Sequence, residues 1–135
     1  PDFEKFHFYK NGNIKAYYRS FNSVFGKVGR HASEEVILKL IQSKCLPVIL
    51  FGLDACPVNS SDKHSFDFML TRSLMKLFNT GSNLVIMECR KAFNVKLLSE
   101  SIIDRKKSFL HRYCNTENVI CKMFCDEAAR ELLLL

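Results

Sequence analysis

The chain has 135 residues, 47% of them apolar, and carries a formal net charge of +6. This length suits one domain with one sizeable hydrophobic core, and the apolar fraction is that of an ordinary globular protein. The longest apolar run, residues 46–53, is far shorter than the roughly 20 residues that a membrane-spanning helix needs, so we expect no membrane partner. Because the chain begins with Pro1 and ends on Leu132 to Leu135 without a polar tail, we expect it to be a piece of a longer protein.

The positive charge is concentrated near the N-terminus. Residues 1–31 contain Asp2 and Glu4 but six basic side chains, which gives +4 of the total of +6; the six are Lys5, Lys10, Lys15, Arg19, Lys27 and Arg30. A surface with such an excess attracts a polyanion, and each phosphate that it neutralises releases condensed counterions. The alternative interpretation is a solvated helix face that keeps the chain soluble.

Helical periodicity is clearest over residues 13–28. Apolar side chains there fall on an arc of about 120° at 3.6 residues per turn, and Lys15, Arg19, Asn22 and Ser23 lie opposite. Gly29 is expected to end this helix. Ser33, followed by two glutamates, is expected to start a second helix over residues 34–44, because its hydroxyl can cap free N–H groups.

Residues 46–55 are apolar on every side and fit either a buried strand or a buried helix. We predict a short central helix, because no neighbouring segment has the alternation of a partner strand. Further helices are predicted over residues 61–79, 84–93, 99–113 and 116–135. The helix over 61–79 carries two apolar rows, and the last helix is expected to turn Val119, Ile120, Met123 and Phe124 inward.

The sequence thus predicts an all-α protein, a compact bundle of about six or seven helices. Residues 3–9 are rich in aromatic side chains, and we interpret them as one short N-terminal strand or extended segment.

Cysteines and histidines suggest little chemistry. The six cysteines lie in apolar periodic segments, which is typical of free thiols in a reducing compartment, here the nucleus and cytoplasm. His111, Cys114, Cys121 and Cys125 also permit a zinc interpretation, yet paired CxxC spacings are missing, and we predict no metal site. A nucleophile built from His111 and Cys114 rests on a spacing that is ordinary for an amphipathic helix.

Catalytic motifs are missing from the sequence. It contains no adjacent pair of aspartates that could hold two divalent ions, and no P-loop, HExxH or GxSxG pattern. We therefore predict no catalytic residue and no cofactor in this segment.

Four stretches carry a resemblance to one family. They are YYRSFNSVFGKVGRHASEEVILKLIQSKCLPVILFGLDACP (17–57), NSSDKHSFDFMLTRSLMKLFNT (59–80), MECRKAFN (87–94) and LLSESIIDRKKSFLHRY (97–113). The amino-acid sequence of these stretches resembles that of the reverse transcriptase of non-LTR (LINE-type) retrotransposons, in the region just C-terminal to the polymerase palm. The resemblance covers most of the chain.

The resemblance implies a fragment of an RNA-directed DNA polymerase. Residues 1–12 would be the tail end of the upstream palm, and residues 13–135 a helical thumb-like unit that grips an RNA/DNA template–primer duplex by its backbone. The family's paired aspartates and their Mg²⁺ would lie upstream, so this segment would be inactive alone. Its partners would be the duplex and the palm domain of the same polyprotein, with no small-molecule substrate.

We predict that this grip uses Lys15, Arg19, Lys27 and Arg30 as phosphate contacts, with Asn22 and Ser23 as neutral donors. Tyr17, Tyr18 and Phe21 could stack on bases, but their place on the apolar arc favours core packing. Arg105, Lys106 and Lys107 form a second candidate patch or a solvated run.

Two alternatives stay open. The chain could be a helical protein-interaction module that uses the apolar rows of residues 61–79, or an inactive remnant of a degenerate transposon copy.

Overall fold

The computed structural model describes the backbone of residues 3–29 and 31–135 and the side chains from Lys10 onward, except that of residue 30. Every regular element in these ranges is a helix, and the elements are α1 (Phe3–Val28), α2 (Glu34–Leu40), a π-helical segment (Ile41–Cys45), α3 (Leu46–Leu50), α4 (Ser60–Leu77), α5 (Asn83–Ala92), α6 (Leu98–Asn115), α7 (Val119–Met123) and α8 (Cys125–Leu133). Since α2, the π segment and α3 are continuous, the described ranges hold seven separate helices. This confirms the predicted all-α bundle.

The predicted N-terminal strand is wrong, because residues 3–9 form the first turns of α1. A strand needs a partner for its backbone groups, and the described part of the chain has no other strand. Extending a helix that already exists adds one hydrogen bond per residue without a new nucleation cost. α1 accordingly runs unbroken across residue 12, where we place the end of the palm region, and that domain boundary stays a prediction.

The core lies between α1, the continuous helix over residues 34–50, and α4. Tyr17 and Phe21 of α1 are almost fully buried, as are the apolar side chains that meet them, which include Ile37, Ile41, Ile49, Phe66, Leu70 and Leu74. Full burial of one such side chain contributes about 1.5–3 kcal/mol. Tyr17 and Phe21 lie on the apolar arc that the periodicity predicted over residues 13–28, which confirms the core-facing side of α1.

The second and third predicted helices are joined through the π segment. The N–H of Leu46 donates to the carbonyl of Ile41, five residues back, and Pro47 follows directly. Proline has no N–H and crowds the preceding turn of an ordinary α-helix, so a wider turn before it lets the helix continue. α3 then ends at Leu50, before the predicted Ala55, because Phe51 leaves the helical conformation with ψ of 124° and Gly52 follows in a left-handed conformation with φ of 73°.

A buried ion pair ties α1 to the start of α4. Lys10 Nζ lies 2.6 Å from Asp62 Oδ1, and both side chains are less than a tenth exposed. Asp62 also closes a capping box with Asn59, since its N–H donates to Asn59 Oδ1 at 2.8 Å and its Oδ2 accepts from the Asn59 N–H at 3.3 Å. Lys10 therefore does not contribute its charge to the surface.

The predicted last helix is broken at Phe124 into α7 and α8. The expectation that its apolar residues face inward is wrong, because Val119, Ile120 and Met123 are 73%, 65% and 72% exposed and Phe124 is exposed as well. The break redirects the chain, so one periodicity cannot hold over both pieces. α8 packs on α6 through Ala128 and an ion pair between Glu131 and Lys106.

Among the helices described, none is both long enough and apolar enough to cross a bilayer.

Candidate nucleic-acid interface

The outward side of α1 carries the predicted site. Lys15, Arg19, Asn22, Ser23 and Lys27 are all exposed, and we call them the polar face of α1. Lys15, Arg19 and Asn22 follow each other at intervals of four and three, which places them above one another on a helix. The sixth predicted residue, Arg30, lies outside the described residues.

Among the residues that the structure describes, no carboxylate neutralises the cations of this face. Within the described part of the chain, no carboxylate forms an ion pair with Lys15, Arg19 or Lys27. Lys10, on the inner side of the same helix, has its partner in Asp62. An unpaired exposed cation keeps its charge for an external anion.

The rings of α1 face the core. Tyr17 and Phe21 are 0% and 2% exposed and stack on each other with centroids 6.2 Å apart, so neither ring is free to stack on a base. This settles the choice between stacking and packing for these two residues in favour of packing. Tyr18 is half-buried at the edge of the core.

The Tyr17 hydroxyl is buried and makes no hydrogen bond within the described residues. The hydroxyl of Ser73, close to it, donates to the Met69 carbonyl at 3.1 Å. Desolvation raises the pKa of Tyr17 to about 12; the nearby Ser73 hydroxyl lowers it by a smaller amount, although its geometry toward Tyr17 falls short of a hydrogen bond. Tyr17 is thus a neutral core residue with an unmet polar group, and it lies beneath the polar face of α1.

α4 adds two cations that the sequence analysis missed. Lys76 Nζ donates to Asn22 Oδ1 at 3.1 Å and lies 5.6 and 5.1 Å from the ring centroids of Phe21 and Phe25. Arg72, one turn earlier, lies 5.8 Å from the Phe68 ring. No carboxylate in the described ranges pairs with either. The aromatic faces and the carboxamide therefore orient these cations without cancelling their charge.

A groove between α1 and α4 lies beside Arg72 and Lys76 and reaches Asn22 of the polar face of α1. Its volume is about 470 Å³, and its wall includes Tyr18, Asn22, Arg72, Ser73, Lys76 and Thr80. The Arg72/Lys76 pair, four residues apart with no acidic residue within a turn on their side, was visible in the sequence. That α4 lies beside α1 was not, because the contact joins residues 54 positions apart.

The second predicted patch is largely neutralised by the protein itself. Arg105 donates to both carboxylate oxygens of Asp54, at 2.9 and 3.2 Å, and Lys106 pairs with Glu131. The hydrogen bond to Asp54 raises the pKa of Arg105. Lys107 alone of the three lacks an ion pair within the described residues.

Among the side chains that the structure describes, no group of three or more His, Cys, Asp or Glu is arranged to hold a metal ion. His111 is exposed, while Cys114 and Cys125 lie against each other where α6 meets α8.

Comparisons with protein-family models, with curated proteins and with solved structures gave no match.

Proposed function

We propose that this chain is a helical thumb-like segment of a retrotransposon RNA-directed DNA polymerase and that it grips the template–primer duplex by its phosphates. The observation that carries the proposal is the polar face of α1, which presents Lys15, Arg19 and Lys27 exposed and without a carboxylate partner in the described residues. The parent polymerase would supply the palm, the catalytic carboxylates and Mg²⁺. This segment would contribute affinity and position.

The length of the polar face suits a nucleic-acid backbone. At a rise of 1.5 Å per residue, Lys15 and Lys27 are about 18 Å apart along α1. Laid along a duplex axis, that distance spans on the order of five phosphates of one strand at 3.4 Å each. Three cations and two neutral donors over this distance can follow a strand.

The chemistry of the surface supports contact without sequence preference. Lysine and arginine attract phosphates whatever the base, and sequence is read by groups that reach base edges in a groove. Tyr17 and Phe21, two rings of α1 beneath the polar face, are fully buried in the core. Arg72 and Lys76 are exposed on α4, and the contact of Lys76 with Asn22 extends the positive surface from α1 to α4.

The protein-interaction module remains the alternative. One of the two apolar rows on α4 consists of Phe66, Leu70, Leu74 and Leu77, and all four are buried in this chain's own core. A partner that docked on α4 would therefore use the side where Phe68 is 58% exposed.

The test is binding of the full 135-residue chain to a labelled RNA/DNA hybrid by fluorescence anisotropy over a range of salt concentrations. The double variant Lys15→Glu/Arg19→Glu should reduce the slope of log K against log salt by about two, because each lost phosphate contact removes close to one released counterion. Lys91→Glu/Lys122→Glu changes the net charge equally at exposed positions on α5 and α7 and should leave the slope nearly unchanged. Equal effects of the two double variants, or no effect of either, would refute the proposed face.

The same salt titration distinguishes a phosphate-contacting segment from a protein-interaction module. A protein-interaction module would show self-association or partner binding that is insensitive to salt, and no binding of the hybrid at low salt.

A further inference from the structure

Two cysteines meet where α6 ends and α8 begins. Cys114 lies next to the last residue of α6, and Cys125 is the first residue of α8. The Cys114 sulfur is 3.8 Å from the Cys125 carbonyl oxygen, and the Cys125 sulfur is 3.9 Å from the Cys114 carbonyl oxygen. Each side chain thus reaches the backbone of the other residue, an arrangement that brings the two thiols side by side.

Two of the remaining four cysteines, Cys45 and Cys121, have other neighbours. Cys45 is buried in the core, where the Ser20 hydroxyl lies 3.4 Å from its sulfur. The thiol of Cys121 on α7 interacts with the Tyr113 hydroxyl, one of the contributions that raise the pKa of Tyr113 after desolvation. Cys114 and Cys125 are both partly exposed, so a small solute can reach them.

We propose that Cys114 and Cys125 are a site of oxidative modification, at which a peroxide converts the two thiols to a disulfide that fastens α8 to the end of α6. In the first step one thiolate attacks a peroxide oxygen, the O–O bond breaks, and hydrogen peroxide leaves one water and a sulfenic acid. In the second step the other thiol attacks that sulfur, the S–S bond forms, and the sulfenic oxygen leaves as water. Both sulfurs are oxidised, the peroxide is reduced, and the two thiol protons end in the water.

The surroundings favour a bond that forms slowly between thiols that are already in place. Burial raises the pKa of the Cys114 thiol, with a further contribution from Cys125, and a raised pKa leaves less of the reactive thiolate. The two helices are already held together by Ala128 and by the ion pair between Lys106 and Glu131. The second thiol is therefore in place when the first is oxidised.

The cross-link would close a loop that contains all of α7. Val119, Ile120 and Met123 are exposed in that loop, and Ala128 is the one buried residue of α8. A short covalent loop restricts the unfolded chain, so the disulfide should stabilise this corner of the bundle. This consequence does not depend on nucleic-acid binding.

The experiment treats the full chain with hydrogen peroxide, alkylates the remaining thiols and maps tryptic peptides by mass spectrometry. Cleavage after Arg112, Lys122 and Arg130 places Cys114 with Cys121 on residues 113–122 and Cys125 on residues 123–130. We expect these two peptides to be linked, with four of the six thiols alkylated. The link should persist in Cys121→Ser and vanish in Cys114→Ser.

A second measurement keeps the proposal testable if Cys114→Ser folds poorly. Brief digestion of the folded wild-type chain with trypsin should cut after the exposed Lys122 several-fold more slowly in the oxidised than in the reduced form. The proposal is overturned if all six thiols are alkylated after oxidation, if the link runs through Cys121, or if the cysteines become sulfinic acids without cross-linking.

Discussion

Lys76 reaches from α4 to α1, where its ammonium group donates a hydrogen bond of 3.1 Å to the Asn22 carboxamide. The same ammonium lies over the faces of Phe21 and Phe25. A neutral carboxamide and two rings orient a cation but do not neutralise it, in contrast to the carboxylate of Asp62 beside Lys10. Lys76 therefore joins α1 to α4 and adds to the positive surface.

Replacing Lys76 by methionine tests this role. The Lys76→Met variant keeps most of the stem that packs on the rings and removes the charge. If Lys76 contacts a phosphate, the salt slope of hybrid binding should fall by about one. Lys91→Met is the matched control at an exposed position on α5, and equal slopes for both variants would exclude Lys76 from the interface.

The pair of Lys10 and Asp62 should matter for stability. Lys10→Met leaves the Asp62 carboxylate buried without its cation, which should cost about 3–5 kcal/mol of unfolding free energy in urea denaturation. Lys15→Met makes the same chemical change on the polar face of α1. It should change the unfolding free energy by no more than about 0.5 kcal/mol. Similar losses in the two variants would contradict the buried pair.

Much of this fold follows from local pattern, and the remainder depends on distant contacts. The spacing of Tyr17, Phe21 and the apolar residues around them predicted α1 from residue 13 onward and its buried side, but not the first ten residues of the helix. The burial of Lys10 was beyond such reasoning, because its partner is 52 residues away. The break at Phe124 was missed because the apolar residues before it still recur at helical spacing.

The same division holds for the candidate site. Exposure of Lys15, Arg19 and Lys27 follows from the amphipathic pattern of α1 alone. Lys76 adds to the positive surface only because α4 lies beside α1, and no local sequence pattern predicts that contact.

Two glycines one helical turn apart should respond in opposite directions to alanine. A Cβ at Gly26 meets no atom within 4 Å, and alanine at an exposed helical position should add about 0.5–1 kcal/mol of stability. A Cβ at Gly29 would collide with the Phe25 carbonyl oxygen, so Gly29→Ala should destabilise the chain. Thermal melts of both variants would test this, and a stabilised Gly29→Ala would show that α1 ends differently.

Removing the Tyr17 hydroxyl should not harm the fold. The group is buried without a hydrogen bond in the described residues, so Tyr17→Phe should be neutral or stabilising, by up to about 1 kcal/mol at pH 7. If urea denaturation shows that Tyr17→Phe lowers the unfolding free energy by more than about 1 kcal/mol, the hydroxyl has a hydrogen-bond partner in the folded protein.

Tyr17 should also make the wild type sensitive to alkali. Its pKa of about 12 in the fold exceeds the usual value of 10.0, so between these two pH values the unfolded state releases a proton that the folded state keeps. Stability should therefore fall as pH rises through this window, by about 2–3 kcal/mol from this group. Because other groups titrate there too, the measured quantity is the difference between wild type and Tyr17→Phe, which should grow with pH; a constant difference would contradict the shift.

The most direct test of the central claim, that α1 and Lys76 form one phosphate-contacting surface, is lysine acetylation of the unaltered chain with and without the RNA/DNA hybrid, read by mass spectrometry. We predict that the hybrid slows modification of Lys15, Lys27 and Lys76 and leaves the exposed Lys91 and Lys122 unchanged. Uniform protection of all five lysines, or protection that spares Lys15 and Lys76, would contradict the account.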